Sequence, residues 1–235
     1  MVLNTSEAAS GVAPSRGTAT RTYDLIVFDL DGVVIDSVAD IVAAANHCLR
    51  EMGSPERDPA FVRECIGGGA RNLLLRCLDE EKKERIDAAV KIFKSYYLEN
   101  CTKHTVLFPG VLDVLKYYAG KKKLALATFK LRSATIQILT ELEAIRYFDV
   151  IVTADDVQRP KPDPECVNYI LKALDCSRDA AIMIGDTPTD ILTGKNAGIA
   201  TCAVLYGIGT LEELKPCEPD FMVENILELK EIVAV

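Results

Sequence analysis

The chain has no CxxC pair and no zinc-like spacing among its eight cysteines, which excludes a zinc-ribbon reading. Several of them, Cys202 among them, sit inside apolar runs and read as small core residues. A disulfide framework is not expected at this size, and a reducing cytoplasm fits better. No uninterrupted apolar run is long enough to span a bilayer. The first twenty or so residues, rich in Ala, Ser, Gly and Thr, lack the apolar stretch of a signal peptide, and 1–21 are expected to form a disordered tail. There is no basic face of the kind that phosphate neutralisation on nucleic acid requires. Lys121-Lys122-Lys123 is the only basic cluster, and it reads as a solvated helix end.

What is present is a core-forming chain of 235 residues, 49% apolar and 26% charged, with net charge −8. Residues 39–105 carry 11 basic and 11 acidic residues, so the whole excess of acid lies outside that stretch. Tyr23 to Asp29 reads as a buried strand because Leu25, Ile26, Val27 and Phe28 are continuous and apolar, as in parallel strands covered on both faces. From Val38 the period becomes helical, with Ile41, Val42, Ala45, Leu49 and Met52 on one stripe ended by Gly53 and Pro55. A second helix is expected from about Lys82 to Glu99, with Ile86, Ala89, Val90, Phe93 and Tyr97 on one face. A short one follows Gly67-Gly68-Gly69. No strand signal falls between 39 and 105, so this is a helical insert.

Beyond it, strand and helix alternate. Strands are expected at Lys123–Thr128, Asp149–Thr153, Ala180–Asp186, Ala200–Leu205 and Asp220–Val223. Helices are expected from Pro109-Gly110 to Ala119, then at Ser133–Ile145, Pro164–Leu174 and Asp190–Ala197. The pattern predicts an α/β fold: a doubly wound parallel sheet, Rossmann-like, from 22–38 and 106–235, with a helical cap domain of 39–105 inserted after the first strand. Asp29, Thr128 and Asp186 all end strands, and ligands of open parallel sheets bind at the carboxyl ends of strands.

The chemistry-bearing residues lie at those ends. Asp29-Leu30-Asp31-Gly32 places two carboxylates close together, where they repel unless one takes a proton or a cation is bound. One carboxylate can attack phosphorus and the other can serve as general acid and base. An Asp-rich turn is the plainer alternative. Gly32 lets backbone N–H groups turn toward a ligand. In Gly185-Asp186-Thr187-Pro188-Thr189-Asp190, Asp190 can cap a helix or supply an oxygen to a hard cation such as Mg²⁺. Lys161 is pre-placed by Pro160, Pro162 and Pro164 and can hold a phosphoryl group, unless it is simply exposed. Thr128 can offer a hydroxyl and an N–H to phosphate, or simply suit a strand.

Taken in this order, these residues resemble the haloacid dehalogenase superfamily from Tyr23 to about Val233. The resemblance implies Asp29 as nucleophile, Asp31 as general acid/base, Thr128 and Lys161 as phosphate contacts, and Mg²⁺ held by Asp29, the backbone carbonyl of Asp31 and Asp186, with Asp190 in or just behind the metal shell. Ile66-Gly67-Gly68-Gly69-Ala70-Arg71-Asn72-Leu73-Leu74, Thr128-Phe129-Lys130 and Tyr206-Gly207-Ile208-Gly209 resemble the phosphoglycolate phosphatase branch. Phe129 stands where many members have Asn or Ser, so only its backbone N–H is left to meet substrate. Gly68 and Arg71 are the cap residues expected to contact it. Asp31 argues against a dehalogenase proper, and Gly185 before Asp186 argues against a sugar phosphomutase.

The expected activity is hydrolysis of a small phosphorylated metabolite by a cytoplasmic monomer or small homo-oligomer. Phosphoglycolate leads; pyrophosphate, sugar phosphates and nucleotides are the alternatives. A phospho-receiver module would carry its acidic pair and its phosphorylated Asp on different strands. A dinucleotide-binding protein would want Gly-x-Gly-x-x-Gly after strand one, where this chain has Asp-Gly-Val-Val.

Overall fold

Alternation along the first strand sets the layers. In the computed structural model, which describes residues 22–235 and so leaves the expected tail outside, β1 (Leu25–Phe28) is buried at every position. Ile26 and Phe28 face one cluster of the core, and Leu25 and Val27 face the other. A strand sends successive side chains to opposite faces, so burial on both faces requires a continuous apolar run. Burying each such side chain is worth about 1.5–3 kcal/mol as an upper figure.

After β1 come β2 (Ile35–Asp36), α1 (Val38–Glu51), α2 (Pro59–Glu64), α3 (Gly69–Cys77), α4 (Ile86–Asn100) and β3 (Val106–Leu107). The chain then alternates through α5 (Val111–Tyr118), β4 (Lys123–Ala127), α6 (Arg132–Glu141), β5 (Val150–Val152), α7 (Glu165–Ala173), β6 (Ala181–Gly185), α8 (Pro188–Ala197) and β7 (Ala200–Val204). It ends with α9 (Leu211–Leu214), β8 (Phe221–Val223) and α10 (Leu229–Ile232). Six strands form one parallel sheet in the order β5-β4-β1-β6-β7-β8. Val114, Leu115 and Tyr118 of α5, Ile138 of α6 and Leu229 of α10 cover the Phe28 face. Val167, Ile170 and Leu171 of α7 cover the Val27 face. No helix among the described residues is long and apolar enough to cross a membrane.

Between β2 and β3 every regular element is helical. β2 and β3 themselves form a two-stranded antiparallel ribbon, with Ile35 opposite Leu107, so the insert leaves and rejoins the sheet at one place. Its apolar centre joins Ile41 and Leu49 of α1 to Ala89, Phe93 and Tyr97 of α4.

Two expectations shift, and one helix is unexpected. The helix expected from Lys82 is a 3₁₀ segment over Glu80–Arg85, because none of those residues is buried; α4 starts where Ile86 becomes buried. The helix expected to reach Ile145 stops at Glu141, and Glu143 takes a positive φ of 53°. A non-glycine residue in that conformation is a stop the composition hides. α2, with Val62 its single buried residue, is too short to show a period.

Candidate active site

Strand register brings the candidate residues together. Phe28 of β1 pairs with Leu126 of β4 on one side and Ile184 of β6 on the other. Asp29, Thr128 and Asp186 therefore leave the sheet at one edge. The Asp29 N–H still donates to the Ile184 carbonyl at 2.9 Å, and the Thr128 N–H to the Val152 carbonyl at 3.0 Å. Both backbones are thus fixed by the sheet itself.

Lys161, in the loop between β5 and α7, is buried, with Nζ 2.7 Å from Asp29 Oδ1 and 2.7 Å from Asp190 Oδ1. Asp190 takes the capping part expected of it and turns its other oxygen to Lys161. Its Oδ2 accepts from Thr187 Oγ1 at 2.6 Å and from the Thr187 N–H at 3.2 Å, closing a capping box, while Oδ1 meets Lys161. It lies at the third position of α8 rather than at its start, because Pro188 opens the helix. Asp186 is fully buried; Oδ2 accepts from the Ile208 N–H at 2.7 Å, and Oδ1 has no partner.

Oxygens of Asp29, Asp186 and Asp190 lie within 4.8 Å of one another. Three carboxylates thus share one ammonium. Burial pushes the Asp29 carboxyl up to about 7, with Asp190 and Asp31 adding to the rise and Lys161 opposing it. Burial, then Asp190 and Asp29, likewise holds Asp186 well above the usual range. Burial alone would lower Lys161, but Asp190 and Asp29 outweigh it and its pKa is raised. An all-oxygen cluster short of positive charge, with one orphaned buried oxygen, fits a hard divalent cation.

Two glycines make room for this cluster. A Cβ on Gly32, whose φ is +91°, would lie 1.9 Å from Asp186 Oδ2, and one on Gly207 would lie 2.4 Å from both Asp186 Cβ and Oδ2. Gly32 departs from expectation in one respect: its N–H donates to the Ile35 carbonyl at 3.0 Å and does not face a ligand. The tight turn that places Asp31 consumes that donor.

Above the sheet edge, a cavity of about 530 Å³ separates these residues from the insert. Asp29, Asp31, Thr128 and Lys161 line its floor, and Phe93 and Tyr97 line the insert side. The Gly67–Gly69 turn also lines it, and a Cβ on Gly69 would come 3.8 Å from the Phe129 carbonyl. Gly68 precedes the first turn of α3. The Phe129 ring centroid is 5.6 Å from Lys161 Nζ. Arg71 lines the cavity, but its exposed guanidinium is engaged by Asp87 of α4.

The family model described as haloacid dehalogenase-like hydrolase matches residues 26–204. The chain belongs to this haloacid dehalogenase-like hydrolase family. Among curated relatives, phosphoglycolate phosphatase 1 of Pseudomonas aeruginosa is 33% identical over 218 residues, spanning 90% of this chain and 80% of its own length. The phosphoglycolate phosphatase of Aquifex aeolicus is 36% identical over 210 residues, 89% of this chain and 96% of its own. A solved haloacid dehalogenase-like family hydrolase from Streptococcus pneumoniae is similar with TM-score 0.80 and 28% identity, covering 89% of this chain and 97% of that one.

Sequence reasoning passed over one group in this family member's cavity. Lys130 is buried, with Nζ 2.8 Å from Asp31 Oδ1 and 2.7 Å from Tyr97 Oη. Burial would lower its pKa, but Asp31 and Tyr97 outweigh that and raise it. Asp31 Oδ1 also accepts from Ser37 Oγ. In the sequence, Tyr97 reads only as part of the apolar stripe of α4, and Lys130 only as part of a branch-like tripeptide. The available signal was a lysine two residues beyond a strand end, where a charge has to find a partner if the edge is covered.

Proposed function

We propose that this chain is a Mg²⁺-dependent phosphatase of small phosphomonoesters, with phosphoglycolate as lead substrate, acting through an aspartyl-phosphate on Asp29. The observation that carries this is the Asp29 carboxylate: buried at the sheet edge, 2.7 Å from Lys161, grouped with Asp186 and Asp190, and open to the cavity. The substrate comes from the relatives, which are phosphoglycolate phosphatases.

An Asp29 oxygen attacks phosphorus in line. The ester P–O bond breaks, its electron pair passes to the leaving oxygen, and that oxygen takes a proton from Asp31. Water then attacks the phosphorus, giving a proton to Asp31, and the bond from phosphorus to Asp29 breaks to release phosphate. Lys161, the Thr128 hydroxyl and the Phe129 N–H hold the phosphoryl oxygens through both steps. Asp29, the backbone carbonyl of Asp31 and Asp186 would hold Mg²⁺, with Asp190 beside or behind them. Once bound, the ion supplies positive charge that offsets repulsion between carboxylate and phosphate. Gly68 and Arg71 belong on the leaving-group side, and Arg71 would have to exchange Asp87 for substrate. The helices of 39–105 act as the cap that excludes water.

The test is phosphate release from phosphoglycolate, pyrophosphate, sugar phosphates and nucleotides, with Mg²⁺ or EDTA. The expected result is metal-dependent release, fastest from phosphoglycolate, with Asp29→Asn reduced at least about a thousandfold. Near wild-type turnover by Asp29→Asn would remove the nucleophile assignment, and a preference for another ester would remove the substrate.

A further inference from the structure

Lys130 joins three separate parts of the chain. Its backbone belongs to the loop after β4, its ammonium meets the Asp31 carboxylate from the loop after β1 at 2.8 Å, and it meets the Tyr97 hydroxyl of α4 at 2.7 Å. Nζ also lies 4.8 Å from the Tyr97 ring centroid. Tyr97 is 2% exposed and stacks on Phe93, with ring centroids 5.5 Å apart. The hydroxyl is therefore held by packing within the insert, not by the sheet. Lys130 lines the same cavity as Asp29 and Asp31, yet its charge is taken up by Asp31 and no contact ties it to Asp29.

A buried ammonium needs its donors occupied, since an unmet buried donor forfeits its hydration with nothing in return. With α4 in place, Tyr97 meets one donor and Asp31 another. With α4 withdrawn, the Tyr97 partner is lost and water must replace it. The bridge is complete only when the insert lies over the site.

We infer that Lys130 is a positioning residue that fixes the Asp31 carboxylate through the insert: Tyr97 anchors the ammonium, and the ammonium holds Asp31 toward the leaving-group oxygen when α4 covers the cavity. This rests on the acid/base role proposed for Asp31.

If Lys130 acts through Asp31, its loss harms most those esters whose leaving oxygen needs a proton. Single-turnover release of the alcohol isolates that step from hydrolysis of the aspartyl-phosphate. Phosphoglycolate has an alkyl leaving group that must be protonated, whereas p-nitrophenyl phosphate releases an anion that is stable unprotonated. Tyr97→Phe, which keeps the ring and removes only the hydroxyl, is expected to slow phosphoglycolate about tenfold and p-nitrophenyl phosphate less than about twofold. Lys130→Met should widen the same ratio to about 30-fold or more. Equal losses on both esters, or none on either, would overturn the inference, since a packing or phosphate-holding role does not distinguish leaving groups. A wild-type chain inert toward both esters would instead overturn the phosphatase reading, and this inference with it.

Discussion

Asp186 has no accessible surface, one oxygen fixed by Ile208 and the other unpartnered. Its position is set by the residues that lack a side chain around it. Gly207→Ala would drive a methyl group to 2.4 Å from Asp186 Cβ and Oδ2 and 2.5 Å from the Gly32 carbonyl. We expect a loss of about 1–3 kcal/mol of stability from overpacking. The larger effect is expected at the proposed cation site: Mg²⁺ should raise the melting temperature of the wild type, and that rise should shrink or vanish in the variant. Thermal unfolding with and without Mg²⁺ checks both; an undiminished Mg²⁺ response would show that Gly207 does not shape the cation site. At this scale, the residues legible in the sequence were those standing at strand ends, because a parallel sheet delivers such ends to one edge. Asp29, Thr128 and Asp186 are brought together for that reason, and Asp190 by the helix that follows. Lys130 and Tyr97 were hidden because their meaning lies in a contact between residues 33 positions apart, and each is unremarkable on its own element.

Elements were legible in proportion to their length and period. β1 and α1 announce themselves, the first by an unbroken apolar run and the second by its stripe. β2, β3, α9 and α10 are too short for either signal, and their places follow from what they close. α10 illustrates this. Tyr118 of α5 is buried, and its Oη lies 2.8 Å from the Leu229 carbonyl and 3.0 Å from the Val233 carbonyl. The hydroxyl has one proton for the two carbonyls, and it docks α10 against α5. Tyr118→Phe leaves those carbonyls without that donor and should lower stability by about 1–2 kcal/mol. That corresponds to about 2–8 °C in melting temperature at this chain length. Phosphate release should be unchanged, since Tyr118 is remote from the cavity lining. A melting temperature within error of wild type would show that the docking rests on apolar contact alone.

For the molecule as a whole, the buried carboxylates couple folding to pH and, on the proposed reading, to metal. Asp29 is raised from 3.8 to about 7, and Asp186 is raised as well. Between about pH 4 and pH 7 the folded, metal-free chain therefore binds more protons than the unfolded one, and its stability falls as pH rises through that range. A divalent cation at the proposed site would compete with protons for the same oxygens and favour their ionised forms. Melting temperature in EDTA should decline from pH 5 to pH 8, while saturating Mg²⁺ should flatten or reverse the decline. A profile in EDTA that rises over this window would contradict the raised carboxylates. Apparent Mg²⁺ affinity should increase over the same interval, measurable by titration calorimetry.

The ribbon of β2 and β3 bears on the history of such a chain. Because Ile35 faces Leu107, the two ends of the helical segment emerge side by side, and the sheet experiences that segment as a single surface loop. Provided contacts such as Lys130 to Tyr97 are kept, lengthening or shortening it adds a closure entropy that grows only with the logarithm of its length, about 0.6 kcal/mol per doubling. On the proposed reading, the sheet edge that carries Asp29 can stay constant while the segment proposed to meet the leaving group is exchanged as a cassette. A graft made between Asp36 and Val106 therefore tests whether substrate choice is inherited separately from chemistry.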